Sequence, residues 1–207
     1  MLKPLEFNKN LCNQKRDKID FVEAIAMSQQ KMITVAIAAF LILYAGSNFA
    51  AAEMLPSVPD DLKVPATQTL SIEMRGIGVQ IYECRKNKTY PGTLEWVFKA
   101  PEAELFDSSD KRIGKHYAGP TWESADGSKV IGELRALHKS PEKNSIPWLL
   151  LRAKAHSGSG VFSGIESIQR LNTSGGNAPT EGCGMDQLGK EIRVPYKASY
   201  YFYVGKP

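Results

Sequence analysis

The chain has 207 residues, 43% of them hydrophobic and 23% charged, which suits one folded domain and argues against both a second domain and wholesale disorder. Its formal charge of +4 divides evenly: residues 1–52 hold six Lys/Arg against four Asp/Glu, and residues 53–207 hold twenty against eighteen. With no Lys/Arg cluster in either part the pattern argues against a nucleic-acid footprint, and no nucleic-acid partner is expected.

Residues 32–52 read as a signal peptide. Lys31 precedes the uncharged run MITVAIAAFLILYA, and small residues through Ala50, Ala51 and Ala52 follow. A basic flank, an apolar core and an Ala-x-Ala site make a secretory signal, with cleavage expected after Ala50 or Ala52. The run is short for a bilayer span, so an uncleaved anchor is the lesser alternative. Residues 1–31 mix Asp17, Asp20 and Glu23 with Lys15, Arg16 and Lys18, unlike a basic leader. They read as a misassigned start, the true one at Met27 or Met32, or as a long leader removed with the signal. On either reading Cys12 is lost, the location is secreted or periplasmic, and membrane contact ends with cleavage.

Residues 53–69, with Pro56, Pro59 and Pro65, form an extended lead-in to a β-rich domain over 70–207. Strand character appears at Gly78–Cys84 and at 94–99, where Leu94, Trp96 and Phe98 share a face. It returns at Ala103–Phe106, and at Thr121–Glu123 and Lys129–Leu137 around the hairpin dipeptide Asp126-Gly127. The segment 146–155 is apolar through Leu151, as for a strand packed on both sides. Gly164–Leu171 and Tyr196–Val204 follow, the last alternating Tyr196, Ala198, Tyr200, Phe202 against Lys197, Ser199, Tyr201, Tyr203. No apolar pattern of helical period is sustained, and Met185–Glu191 alone has room for a helical turn or two. The expected fold is all-β, a single-domain β-sandwich or partly closed β-barrel with long loops, preceded by the N-terminal signal helix.

The phrases GVQIYECR (78–85), IGKHYAGPTWESADGSKVIGE (113–133), IPWLLLRA (146–153), SIQRLNTSGGNAPTEGC (167–183) and VPYKASYYFY (194–203) occur in this order. Together they resemble the secreted bacterial and fungal family known as domain of unknown function 3455, over nearly all of residues 58–204. The resemblance implies an exported β-rich domain with Cys84 and Cys183 where members carry cysteines, and no established activity. Two cysteines in an exported domain also suggest a disulfide by their number alone, two buried free thiols being the alternative.

Some members of that family carry a dehydrogenase label, which would have to rest on Gly158-Ser-Gly160-Val-Phe-Ser-Gly164. The third glycine is one place late and a β-branched segment follows instead of a helix, so a strand-to-strand loop is the better reading and no cofactor is expected. His156 beside Ser157 and Ser159 makes no hydrolase elbow. No His-x-His or His-x-x-x-His spacing supports a metal. Asn87-Lys-Thr89 and Asn172-Thr-Ser174 are glycosylation sequons, meaningful only in a eukaryotic host.

The stretch His116–Asp126 is the candidate site. His116, Tyr117, Trp122, Glu123 and Asp126 gather an imidazole, two aromatic rings and two carboxylates around Gly119-Pro120, a composition suited to a small-molecule or sugar site. The competing structural reading has Trp122 plugging the core while His116 and Glu123 satisfy neighbouring groups. The sequence therefore points to a non-enzymatic extracytoplasmic module binding a small molecule or envelope component. The alternatives are a secreted hydrolase or metal-dependent enzyme using His116 and nearby carboxylates, and a structural or interaction protein of the envelope.

Overall fold

The structure, a computed structural model, describes residues 57–207; the leader, the signal segment with Ala50 and Ala52, and Cys12 lie outside the described residues. Eight strands follow one another: β1 (Gln68–Lys86), β2 (Leu94–Phe106), β3 (Arg112–Tyr117), β4 (Thr121–Ser124), β5 (Lys129–His138), β6 (Trp148–Ser157), β7 (Ile165–Gly175) and β8 (Glu191–Gly205). Each pairs antiparallel with the next, and β8 returns to pair with β1. Of the two expected architectures the sheet takes the barrel, closing in a ring that leaves no open end strand. Among the described residues no helix is long and apolar enough to cross a membrane.

The ring is irregular. Strand β4 has only 4 residues, and β6 pairs with β7 only through Leu149–Arg152 against Ser167–Arg170, whereas β1 follows β8 from Gln68 to Glu83. Register shifts at Ile81/Tyr82 and Leu134/Ala136 add the local bends that a closing sheet needs. Beyond Arg152 the β6–β7 seam is bridged by a side chain: His156 Nε2 donates to the Ile165 carbonyl over 2.7 Å. Few backbone bonds hold this seam, so native-state hydrogen exchange should show β7 amides opposite β6 exchanging well before β1 amides opposite β8. Equal protection of the two seams would refute this.

Side-chain alternation fills the ring. Tyr196, Ala198, Tyr200 and Phe202 of β8 point inward and pack with Met74, Ala103, Leu105, Trp122, Val130, Leu151 and Ile168. Tyr201 and Tyr203 point outward yet are also buried, because the lead-in segment, with a short 3-10 turn at Asp60–Leu62, lays Leu62 against them together with Trp148 and Leu171. This two-sided burial explains the unbroken apolar run in β6: Leu149 and Leu151 pack against the interior cluster, Leu150 against the lead-in.

Two glycines make room for the interior rings. A Cβ on Gly76 would come within 2.5 Å of Tyr200 Cε2, and one on Gly132 within 2.9 Å of Trp122 Cζ3. Because a close-packed interior resists added methyl groups, Gly132→Ala should lower unfolding stability by about 1–3 kcal/mol in urea titration. An unchanged midpoint would mean that Trp122 is free to move.

Two sequence expectations need adjustment. Strand β1 begins at Gln68, ten residues before Gly78, because Glu73 and Arg75 point outward and dilute the apolar pattern while Ile72 and Met74 pack inside. Strand β3 carries too few apolar residues to stand out, and Gly114 is there for a backbone approach: its Cβ would lie 2.4 Å from the Glu123 carbonyl. The glycine-rich segment 158–164 connects β6 to β7 and leads into a strand, as expected, and Met185–Gln187 forms one 3-10 turn.

Candidate functional site

The hairpin of β3 and β4 sets His116 directly opposite Trp122. Both side chains face the interior, where the imidazole stacks on the indole with ring centroids 4.3 Å apart and planes 12° from parallel. Tyr200 meets both rings edge-on, at 5.2 Å and 5.5 Å. His116 Nδ1 donates to the Thr121 carbonyl over 2.8 Å, which leaves Nε2 as the acceptor of a neutral ring. Burial pushes the imidazole pKa down to about 3, assisted by the Arg170 charge and opposed by the Thr121 bond. His116 is therefore uncharged at neutral pH.

Beside this stack lies a cavity of about 250 Å³, lined by His116, Trp122, Tyr200, Leu149, Leu151 and Arg170, with Gly119 and Pro120 of the β3–β4 turn at its rim. Phe98 of β2 and Leu134 of β5, each half exposed, complete the rim. The walls are mostly apolar. The indole Nε1 of Trp122 is buried without a protein acceptor.

Arg170 contributes the charge. Its Nε and Nη2 both donate to the Pro147 carbonyl, at 3.2 Å and 2.8 Å. Burial pushes its guanidinium below the usual arginine value, with the Tyr200, Tyr196 and Tyr82 hydroxyls as the neighbouring polar groups. Among the described residues no ion pair includes Arg170. Lys99, the other cation lining the cavity, is paired to Glu191 and lies 3.5 Å from Glu83.

The remaining candidates take other places. Tyr117 and Glu123 lie outside the ring, where the phenol donates to the carboxylate over 2.8 Å and Lys115 and Lys129 stand 3.4 Å and 3.2 Å from it. Asp126 sits in the β4–β5 turn. Its Oδ1 accepts from Ser128 Oγ and N at 2.6 Å and 2.9 Å, and its Oδ2 from Val161 N at 2.9 Å, tying this turn to the β6–β7 loop. The structure thus brings two of the five residues, His116 and Trp122, to the cavity. Among the described residues no group of three or more His, Cys, Asp and Glu side chains is placed to hold a metal ion.

These contacts fix the pH behaviour of the turn. The Ser128 hydroxyl, followed by the Val161 and Ser128 amides, holds the Asp126 pKa down to about 2. A depressed carboxylate stabilises the fold above its unfolded pKa of ~3.9 and loses that contribution as pH falls toward about 2. Asp126→Asn should lower the thermal midpoint at neutral pH, with the difference from wild type shrinking in acid. A difference independent of pH would show that the turn does not depend on the charge.

Sequence reasoning missed Arg170. In SIQRLN it resembles any surface arginine, and the available signal was its parity: Arg170 shares a face with Ile168, and both point inward.

A family model matches residues 65–204, and its description is protein of unknown function (DUF3455). No curated protein and no solved structure matches the chain.

Proposed function

The chain belongs to this family of unknown function, whose description leaves the role to be read from the site, and we propose that the protein is an extracytoplasmic, non-enzymatic module that binds a small molecule in the cavity at the mouth of its ring. The observation carrying this reading is the cavity itself, beside a hairpin turn and walled by the His116–Trp122 stack, Tyr200 and two leucines. A concave, largely apolar site with a few fixed polar groups is how proteins hold small ligands. Its volume of about 250 Å³ lies below the range for drug-sized molecules, so the ligand is small. The Cys84–Cys183 disulfide supports an oxidising compartment, and the signal-like segment at 32–52 supports export.

A hydrolytic role draws less support. The His116 ring is neutral, stacked, and bonded through Nδ1 to a backbone carbonyl, while Glu123 lies across the sheet on the outer face. The test uses the neutral fluorescent probe aminoanthracene, titrated into wild type and into Leu149→Trp, which fills the cavity. Saturable binding by wild type, lost in a variant that keeps its thermal midpoint, supports the reading. Equal binding by both would place the probe elsewhere and overturn it.

A further inference from the structure

The cavity wall holds a cation with no carboxylate partner among the described residues. Arg170 is partly buried, and charges drawn out of water are normally paired, because removing an ion from solvent costs free energy that a counter-charge and a full set of hydrogen bonds offset. Arg170 has only a carbonyl and phenol hydroxyls as its polar company. A guanidinium carries five N–H donors and stays protonated in proteins. The Pro147 carbonyl engages Nε and Nη2, which leaves much of the donor fork for other acceptors. The indole Nε1 of Trp122, another lining residue, is a buried donor without a protein acceptor. Acidic side chains are missing from the lining, and the nearby Glu83 and Glu191 are engaged with Arg85 and Lys99.

Resting on the small-molecule reading above, we infer that the ligand is a small organic acid, its carboxylate received by Arg170 and its apolar body held against Trp122, Leu149, Leu151 and Tyr200. A planar fork of donors matches a carboxylate better than it matches any neutral group, and charge-assisted hydrogen bonds are about twice as strong as neutral ones. The size of the cavity, about 250 Å³, limits that body to a medium-length alkyl chain or a small fused-ring system. Phe98 and Leu134, apolar and half exposed at the rim, suit the passage of such a body.

The experiment is calorimetric titration of octanoate and of its neutral isostere octanamide into wild type, Arg170→Lys and Arg170→Met. The expected result is octanoate binding at least about tenfold tighter than octanamide to wild type. That preference should shrink in Arg170→Lys and disappear in Arg170→Met. Equal affinities of wild type for the two compounds would overturn the inference while leaving small-molecule binding intact. Binding of neither compound would also overturn it, and the aminoanthracene titration then decides separately whether the cavity binds small molecules at all. Should Arg170→Met fail to fold, the comparison on wild type alone still decides.

Discussion

Below about pH 6.5 the protein should lose stability at close to 1.4 kcal/mol per pH unit, and most of that slope should vanish in His116→Phe. The sign follows from where the proton binds. In the unfolded chain His116 titrates near its ordinary value of ~6.5. Folded, its ring is fully withdrawn from water, and burial together with the Arg170 charge pushes its pKa down to about 3. Between these two values the unfolded state takes up a proton that the folded state refuses, so acid favours unfolding. The contribution is whole above about pH 6.5 and falls steadily as pH drops toward about 3. Phenylalanine keeps a ring against Trp122 and removes the titration, leaving the Thr121 carbonyl without its partner at every pH. Urea unfolding of both proteins at several pH values between about 5 and 7 measures the slopes, and that window lies above the acid range in which Asp126 acts. Parallel slopes would contradict the burial of His116.

The second large effect belongs to the disulfide. Cys84 and Cys183 are joined across 99 positions of sequence, with Cys84 fully buried in β1. Closing a loop of that length removes unfolded-state entropy worth a nominal ~4.7 kcal/mol, of which less is usually realised. Replacing both cysteines by alanine should therefore lower stability by about 2–4 kcal/mol. The bridge also pins the long connection between β7 and β8. Gly189 N donates to the Cys84 carbonyl at 2.9 Å, Cys84 N to the Lys190 carbonyl at 3.0 Å, and Trp96 Nε1 to the Glu181 carbonyl at 3.0 Å. The double variant should accordingly gain a protease-sensitive site within residues 176–190, detectable by limited digestion and mass spectrometry. A variant as stable and as resistant as wild type would show that these hydrogen bonds suffice without the bridge.

The sequence made the fold legible wherever one strand face is apolar. The alternation in β8 is plain in the chain, and the Asp126-Gly127 turn marks the β4–β5 hairpin. The unbroken run in β6 required a cover on its outer face, which the structure supplies as the lead-in segment around Leu62. Strand β3 and the start of β1 were harder, because glycines on their inner faces and charged residues on their outer ones erase the apolar period of two. Ring closure was not legible at all: the pairing of β1 with β8 joins residues more than a hundred positions apart, and no local pattern records it. The candidate stretch His116–Asp126 was readable as a composition but not as a geometry. A two-stranded hairpin sends alternate residues to opposite faces, so His116 and Trp122 meet inside while Tyr117 and Glu123 meet outside. Arg170, some fifty positions further on, reaches the same cavity only through closure of the sheet.

The central claim is that a small molecule sits against Trp122 inside the ring, and the three tryptophans provide the direct test. Trp122 lines the cavity, Trp148 is buried on the outer face under the lead-in segment, and Trp96 donates to Glu181 far along the chain. The measurement is the indole N–H resonance of each during titration with aminoanthracene, assigned by single Trp→Phe variants. The account predicts that the Trp122 resonance moves under the ring current of the bound probe while those of Trp96 and Trp148 hold still. A Trp122 signal unmoved at saturation, with either of the other two shifting, would contradict it.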